Sequence, residues 1–235
     1  LNNIMKIVLY GAAGGEVTGS AYHIQTDRAS VLLDFGMFQG HRKVEDRNCV
    51  LPKCNLTKLD AVLVTHGHLD HTGRLPLLVK AGYSGPILCT PATIEMAGLI
   101  LRDSAKIQAG DNERINRKRM RAGEDPIEPL YTPAHVETLL GQFIAVPYND
   151  SVAVAPGITA RFVEAGHMLG STSIQLTVEE KGRPKTVVFS GDLGPLGAPI
   201  LKDFEPFHKA DVVFLESTYG ARDHKPFNDT VKEFI

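Results

Sequence analysis

The sequence predicts a mixed α/β domain in which two runs of β-strands are separated by helices. Three observations carry this. Short aliphatic runs punctuated by glycine fill residues 6–89, helix formers and charge dominate residues 91–141, and the β pattern returns after Gln142. Within the first run, Asp60–Thr65 (DAVLVT) is a continuous apolar stretch rich in β-branched residues, as expected of a strand buried on both faces.

Taken in order, Lys6–Tyr10 and Ala21–Thr26 read as strands, and Ser30–Asp34 as a hairpin partner across the turn at Asp27 and Arg28. Leu75–Ala81 has helical spacing, with Pro76 tolerable in a first turn. Pro86–Cys89 is short and strand-like. Thr93–Arg121 and Pro133–Gly141 read as helices. Strands follow at Phe143–Val146, Val152–Ala155, Thr159–Ala165, Ser173–Val178, Thr186–Ser190 and Asp211–Glu216. No repeat or low-complexity linker interrupts the series.

Composition bounds the function. With 235 residues, 43% hydrophobic and 22% charged, the chain has the makings of a globular core and lacks the signature of a disordered tail or a collagen-like rod. No apolar run approaches the roughly 18 residues of a membrane span. A net charge of −2 gives no global attraction to nucleic acid, so such binding must be local. Cys49, Cys54 and Cys89 lack metal-pair spacing and are too few for a disulfide framework, which leaves buried or idle thiols. Leu1–Ile4 reads as a remnant ahead of a natural start at Met5. The opening residues are poor material for a signal peptide, so the cytoplasm is the expected address.

The strongest chemical signal is His66-Gly67-His68-Leu69-Asp70-His71, directly after DAVLVT. So dense a cluster of polar groups beside a buried strand is costly unless something binds it. Imidazole nitrogen and carboxylate oxygen suit zinc and similar divalent ions. In a loop, the side chains of His66 and His68 can converge on one ion, and Asp70 and His71 then face a second. Asp34, His167, Asp192 and Glu216 each follow or end a strand-like run (SVLLD, FVEAG, VVFSG, VVFLE), where such folds gather functional side chains. Singly, Asp34, two residues before Gly36, and Asp192, directly after Gly191, are ordinary turn residues. Their co-occurrence with the histidine cluster makes them site candidates.

HGHLDH, the earlier LDFG and the later AGHMLGS and SGDLG resemble the motif series of the metallo-β-lactamase superfamily. LESTYG resembles the entrance to its β-CASP branch, the nucleic-acid-processing metallohydrolases. GGEVTGS and LYTPAHVE match in order and spacing. The resemblance implies a four-layer αββα sandwich of two mixed sheets over residues 5–215, with residues 216–235 opening a β-CASP cap whose remainder is absent. It implies two divalent ions, zinc first and manganese or iron as alternatives. His66, His68 and His167 would bind one ion, Asp70 and His71 the other, and Asp192 would bridge them. Asp34 would orient ligands from behind. Glu216 would act with a downstream histidine near the leaving group, and His224 lies too near in sequence to fill that place.

The implied activity is hydrolysis of RNA phosphodiesters, internal or terminal, by a dinuclear metal-activated hydroxide, with Asp70 or Asp192 holding the water. The implied partners are RNA, with no membrane, and a homo-oligomer or a processing complex remains open. Two other readings stand beside it. One is a different enzyme on the same ligands, a thioester hydrolase or an iron-dependent sulfur dioxygenase. The other is an inactive fragment that binds RNA or a partner.

Weaker features have bland readings. Gly11–Gly15 follows a strand, but AYHIQT reads as strand where a dinucleotide loop needs a helix, so a tight turn near the metal site is expected. Arg114, Arg117, Lys118, Arg119 and Arg121 form a basic cluster with flanking acids, for which a solvated helix face outweighs RNA contact. His23, His41, His135 and His208 are isolated, and surface or satisfied core positions are expected for them.

Overall fold

Eleven strands form two sheets in the computed structural model, which describes residues 5–13, 16–180, 182–223 and 225–235. Leu1–Ile4, Gly14 and Gly15 of the glycine run, and His224 lie outside the described residues. The first sheet runs in the order β1 (Lys6–Gly11), β2 (Ala21–Gln25), β3 (Ser30–Leu33), β4 (Ala61–Leu63), β5 (Ile87–Cys89) and β6 (Phe143–Ala145). Its first three strands pair antiparallel and the rest parallel. The second sheet contains β7 (Ser151–Ala155), β8 (Ile158–Glu164), β9 (Thr172–Glu180), β10 (Arg183–Phe189) and β11 (Val212–Phe214) in the spatial order β11-β10-β9-β8-β7. It is antiparallel except for β10 with β11. Both sheets are therefore mixed, as the motif series implies.

Period-two alternation decides which residues face which layer. Ile24, Val31, Leu33, Ala61, Leu63 and Leu88 face the second sheet and meet Ile158, Ala160, Phe162, Ile174, Leu176 and Phe189. The opposite face of the first sheet, including Leu32, Val62, Ile87 and Cys89, packs on the helices. Because β4 is central and covered on both faces, every residue from Ala61 to His66 is buried. That accounts for the uninterrupted apolar run.

The helices are α1 (Arg42–Glu45), α2 (Leu69–Thr72), α3 (Leu75–Lys80), α4 (Pro91–Arg121), α5 (Pro133–Leu140) and α6 (Phe227–Phe234). The Thr90 hydroxyl caps α4 by accepting from the Thr93 N–H at 3.2 Å, with Pro91 in the first turn where its missing N–H costs nothing. At the start of α5 the Thr132 N–H donates to His135 Nδ1 at 3.0 Å, so this isolated histidine is a capping residue. His23 is buried with Nε2 2.8 Å from the Ser30 hydroxyl, a satisfied core histidine as expected. Cys89 is buried, Cys54 half-buried and Cys49 exposed, all free.

Two details differ from the sequence reading. HGHLDH is not loop throughout, because Leu69–Thr72 closes a helical turn. The β9–β10 hairpin extends to Glu180 and from Arg183, beyond the apolar residues, because ladder hydrogen bonds continue after side-chain burial stops. Helix α1 is too short to show a period, and α6, with Phe227, Val231 and Phe234 at helical spacing, is one that the sequence reading lacks. No helix among the described residues is long and apolar enough to cross a membrane.

Candidate metal centre

The strand directions bring the candidate residues together. β3 and β4 are parallel, so the segments that follow them leave the same edge of the first sheet. β8 and β10 both run antiparallel to β9 and so share an edge of the second. The Thr172 N–H and hydroxyl bond the Thr65 carbonyl at 2.9 and 3.0 Å and join those edges. Asp34, His66–His71, His167 and Asp192 leave these four strand ends.

Glycines allow the close approach. Gly36 lies against the segment carrying Asp70 and His71. A Cβ there would overlap the Asp70 carbonyl and lie 2.6 Å from the His71 nitrogen. Gly191, with φ +57°, precedes Asp192, and a Cβ there would stand 2.8 Å from the Thr172 carbonyl oxygen. Gly166, with φ +67°, turns the chain into His167, whose N–H donates to the Ser171 hydroxyl at 3.0 Å.

The side chains form two groups that share one carboxylate. One ligand atom each from His66, His68, His167 and Asp192 lies within 4.8 Å of the others, and the same holds for Asp70, His71 and Asp192. His68 Nδ1 stands 3.2 Å from His66 Nε2 and 3.0 Å from His167 Nε2. Asp192 Oδ2 faces His66 and His167 Nε2 at 3.7 and 3.5 Å, and its Oδ1 faces His71 Nε2 at 3.1 Å. Asp70 Oδ2 is 3.9 Å from His71 Nε2.

This arrangement fits divalent metal ions. His68 Nδ1 can share a proton with only one of its two imidazole neighbours, which leaves lone pairs converging unless a cation stands among them. Nitrogens about 2.0–2.1 Å from a tetrahedral ion stand roughly 3.3–3.4 Å apart, close to the spacing seen. His71 Nε2 is buried without an aligned hydrogen-bond partner although Asp192 is near, as suits an atom that ligates instead.

The surroundings set orientation and protonation. The Asp34 carboxylate accepts from the Thr65 N–H, the Thr65 hydroxyl and His71 Nδ1–H, each at 2.8 Å. Asp34 holds this position with φ +54°, unusual for a residue other than glycine. Since the Thr65 hydroxyl donates to Asp34, its oxygen is free to accept from His66 Nδ1–H at 3.1 Å, which directs the Nε2 lone pair forward. Burial, reinforced by the neighbouring imidazoles, holds the His66 pKa well below the usual histidine value. Burial also lowers that of His167. Burial opposes protonation of His71 too, but the Asp34 and Asp192 carboxylates outweigh it and push its pKa up to about 10 in the metal-free protein. Asp192 is held below the usual carboxylate range, because contact with His71 and the other imidazoles outweighs its desolvation.

Glu216 is tied into the same region. Its Oε1 accepts from the Leu193 N–H at 3.1 Å, next to Asp192, and its Oε2 from the Thr218 N–H at 3.0 Å. Glu216 lines a cavity with Asp34, His71, Asp192 and Ala12, so the turn after Gly11 does approach the centre. The basic cluster does not line this cavity. Arg114 pairs with Asp111, and Arg119 with Glu124 at 2.9 Å, as on a solvated helix face. Sequence reasoning missed Thr65. Its place directly before His66 was the only signal, and threonine at a strand end is too common to stand out.

A family model described as the Metallo-beta-lactamase superfamily matches residues 14–224. The chain belongs to the metallo-β-lactamase superfamily. Among its relatives, Ribonuclease TTHA0252 of Thermus thermophilus is 38% identical over 231 residues, covering 98% of this chain and 48% of that protein. Transcription termination factor FttA of Cenarchaeum symbiosum is 32% identical over 213 residues, covering 89% of this chain and 30% of its own length. FttA of Methanosarcina mazei is 32% identical over 216 residues, with 89% and 31% covered. This metallo-β-lactamase chain thus spans about half the length of the Thermus relative and about a third of the FttA proteins.

Proposed function

We propose that this protein is a metal-dependent phosphodiester hydrolase acting on RNA, in the β-CASP branch of the superfamily. The observation that carries the reading is the Asp192 carboxylate standing between the two donor groups. A relative named as a ribonuclease supports RNA as the substrate. His66, His68 and His167 would hold one ion and Asp70 and His71 a second, with Asp192 shared; zinc suits this imidazole-rich set best. A pair of divalent ions here supplies Lewis acidity toward a phosphodiester and brings the pKa of water near neutrality.

The chain's own groups supply the rest. Asp34 fixes the His71 ring with Nε2 forward, and Thr65 does the same for His66. Asp192 lines the cavity and Asp70 stands beside His71, so these carboxylates would orient the attacking water and accept its proton. Glu216 anchors Leu193 and so places Asp192. Each Glu216 oxygen keeps a further lone pair, with which the side chain would act near the leaving group. The segment from Glu216 onward is read as the entrance to a β-CASP cap, and the cytoplasm as the site of action.

The test is cleavage of a labelled single-stranded RNA by chelator-treated protein, with and without restored zinc or manganese. Cleavage that appears only with metal is expected. Equal cleavage in chelator, or none in metal-loaded protein shown to be folded, contradicts the reading.

A further inference from the structure

Arg74, three residues after His71, is 1% exposed, and its guanidinium has no carboxylate partner among the described residues. A buried cation without a counter-charge is expensive and needs compensation. Here it comes from three carbonyls and two rings. Nε donates to the Gly36 carbonyl, Nη1 to Val50 at 3.4 Å and Nη2 to Gly19 at 3.4 Å. The guanidinium lies over Phe35 at 4.3 Å and over Phe38 at 4.5 Å. Burial and the nearby Arg47 charge lower the Arg74 pKa to about 10, so the group stays charged at neutral pH.

The carbonyls it gathers adjoin the struts of one part of the centre. Phe35 N–H donates to the His71 carbonyl at 2.9 Å and Met37 N–H to that of Leu69 at 2.7 Å, on either side of Gly36. Ser20 N–H donates to the Asp70 carbonyl at 2.9 Å and follows Gly19 directly. Ser20 also receives the Gly36 N–H at 2.8 Å. Leu69, Asp70 and His71 are thus held by residues that Arg74 fastens to one another. His66 and His167 are held otherwise, by Thr65 and by Ser171, whereas His68 caps α2 and its carbonyl accepts the His71 N–H at 3.0 Å.

We propose that Arg74 is the positioning residue for the Asp70–His71 half of the centre, setting affinity for the second metal ion far more than for the first, whose His66 and His167 are supported elsewhere. This rests on the two-ion reading above. Arginine suits the task because its planar fork donates in several directions while stacking on rings. Lysine offers a point charge and no stacking face.

The experiment is titration of cobalt(II) into the metal-free 235-residue chain and its Arg74→Met and Arg74→Lys variants, followed by visible absorption, with circular dichroism and melting temperature alongside. The unsubstituted chain is expected to take up two equivalents with distinct spectra. In Arg74→Met the second equivalent weakens on the order of 10- to 100-fold, as for loss of groups supporting ligands, and the first distinctly less, since two of its three histidines are held elsewhere. Arg74→Lys is expected to fall between. If both equivalents weaken to the same extent, or neither does, Arg74 is merely structural and the proposal fails. If Arg74→Met does not fold, Arg74→Lys decides by the same criterion. Fewer than two equivalents in the unsubstituted chain overturns the two-ion reading itself, an outcome visible before any variant is compared.

Discussion

Asp192→Ala is expected to lower metal-dependent RNA cleavage at least a hundredfold while the protein remains folded. The carboxylate is the one group present in both donor sets, so its loss affects both ions at once. Removing a group that only supports a metal ligand typically costs 10- to 100-fold in affinity or activity, which gives a lower bound for a shared ligand. Folding is expected to survive. The side chain lies on a loop after β10, is about one-fifth exposed and sits beside a cavity, so alanine leaves room for water and no void in the apolar core. Rates from RNA cleavage, with circular dichroism as the folding control, check both halves. An unchanged rate would remove Asp192 from the mechanism.

Gly36→Ala is expected to be the most damaging small substitution near the site, through stability rather than chemistry. Its Cβ would overlap the Asp70 carbonyl and crowd the His71 nitrogen at 2.6 Å, and both are backbone atoms that cannot rotate aside. Overpacking typically costs about 1–3 kcal/mol, and a clash with fixed backbone belongs at or above the top of that range. At about 2–4 °C per kcal/mol for a chain of this size, a fall in melting temperature of roughly 6–12 °C follows. Gly110→Ala, where the added Cβ meets nothing within 4 Å, is the control and should not fall. Equal melting temperatures for the two variants would show that the segment carrying Asp70 is looser than described.

Most of the fold was legible because burial writes a pattern. The strands around Val31, Val62, Phe162 and Val187 each show runs or alternation that only a pleated, covered backbone explains. The metal-centre candidates were legible as residue types at strand ends, since imidazoles and carboxylates are costly there without a purpose. Convergence was another matter. His167 lies 99 residues from His68, yet their ring nitrogens meet at 3.0 Å because the Thr172–Thr65 bonds join the end of the second sheet where β8 stops to the end of the first where β4 stops, a property of topology. Thr65, Gly36 and Arg74 act through single backbone contacts that leave no periodicity. A buried arginine reads in sequence like any surface cation. Helix α2 was hidden because four residues are too few to display a helical period.

The most direct test of the shared carboxylate is anomalous diffraction at the zinc edge from crystals of the zinc-loaded protein. The account predicts two peaks roughly 3.5–4 Å apart, one among His66, His68 and His167 and the other by Asp70 and His71, with Asp192 touching both. A single peak, or two that do not share Asp192, would contradict it.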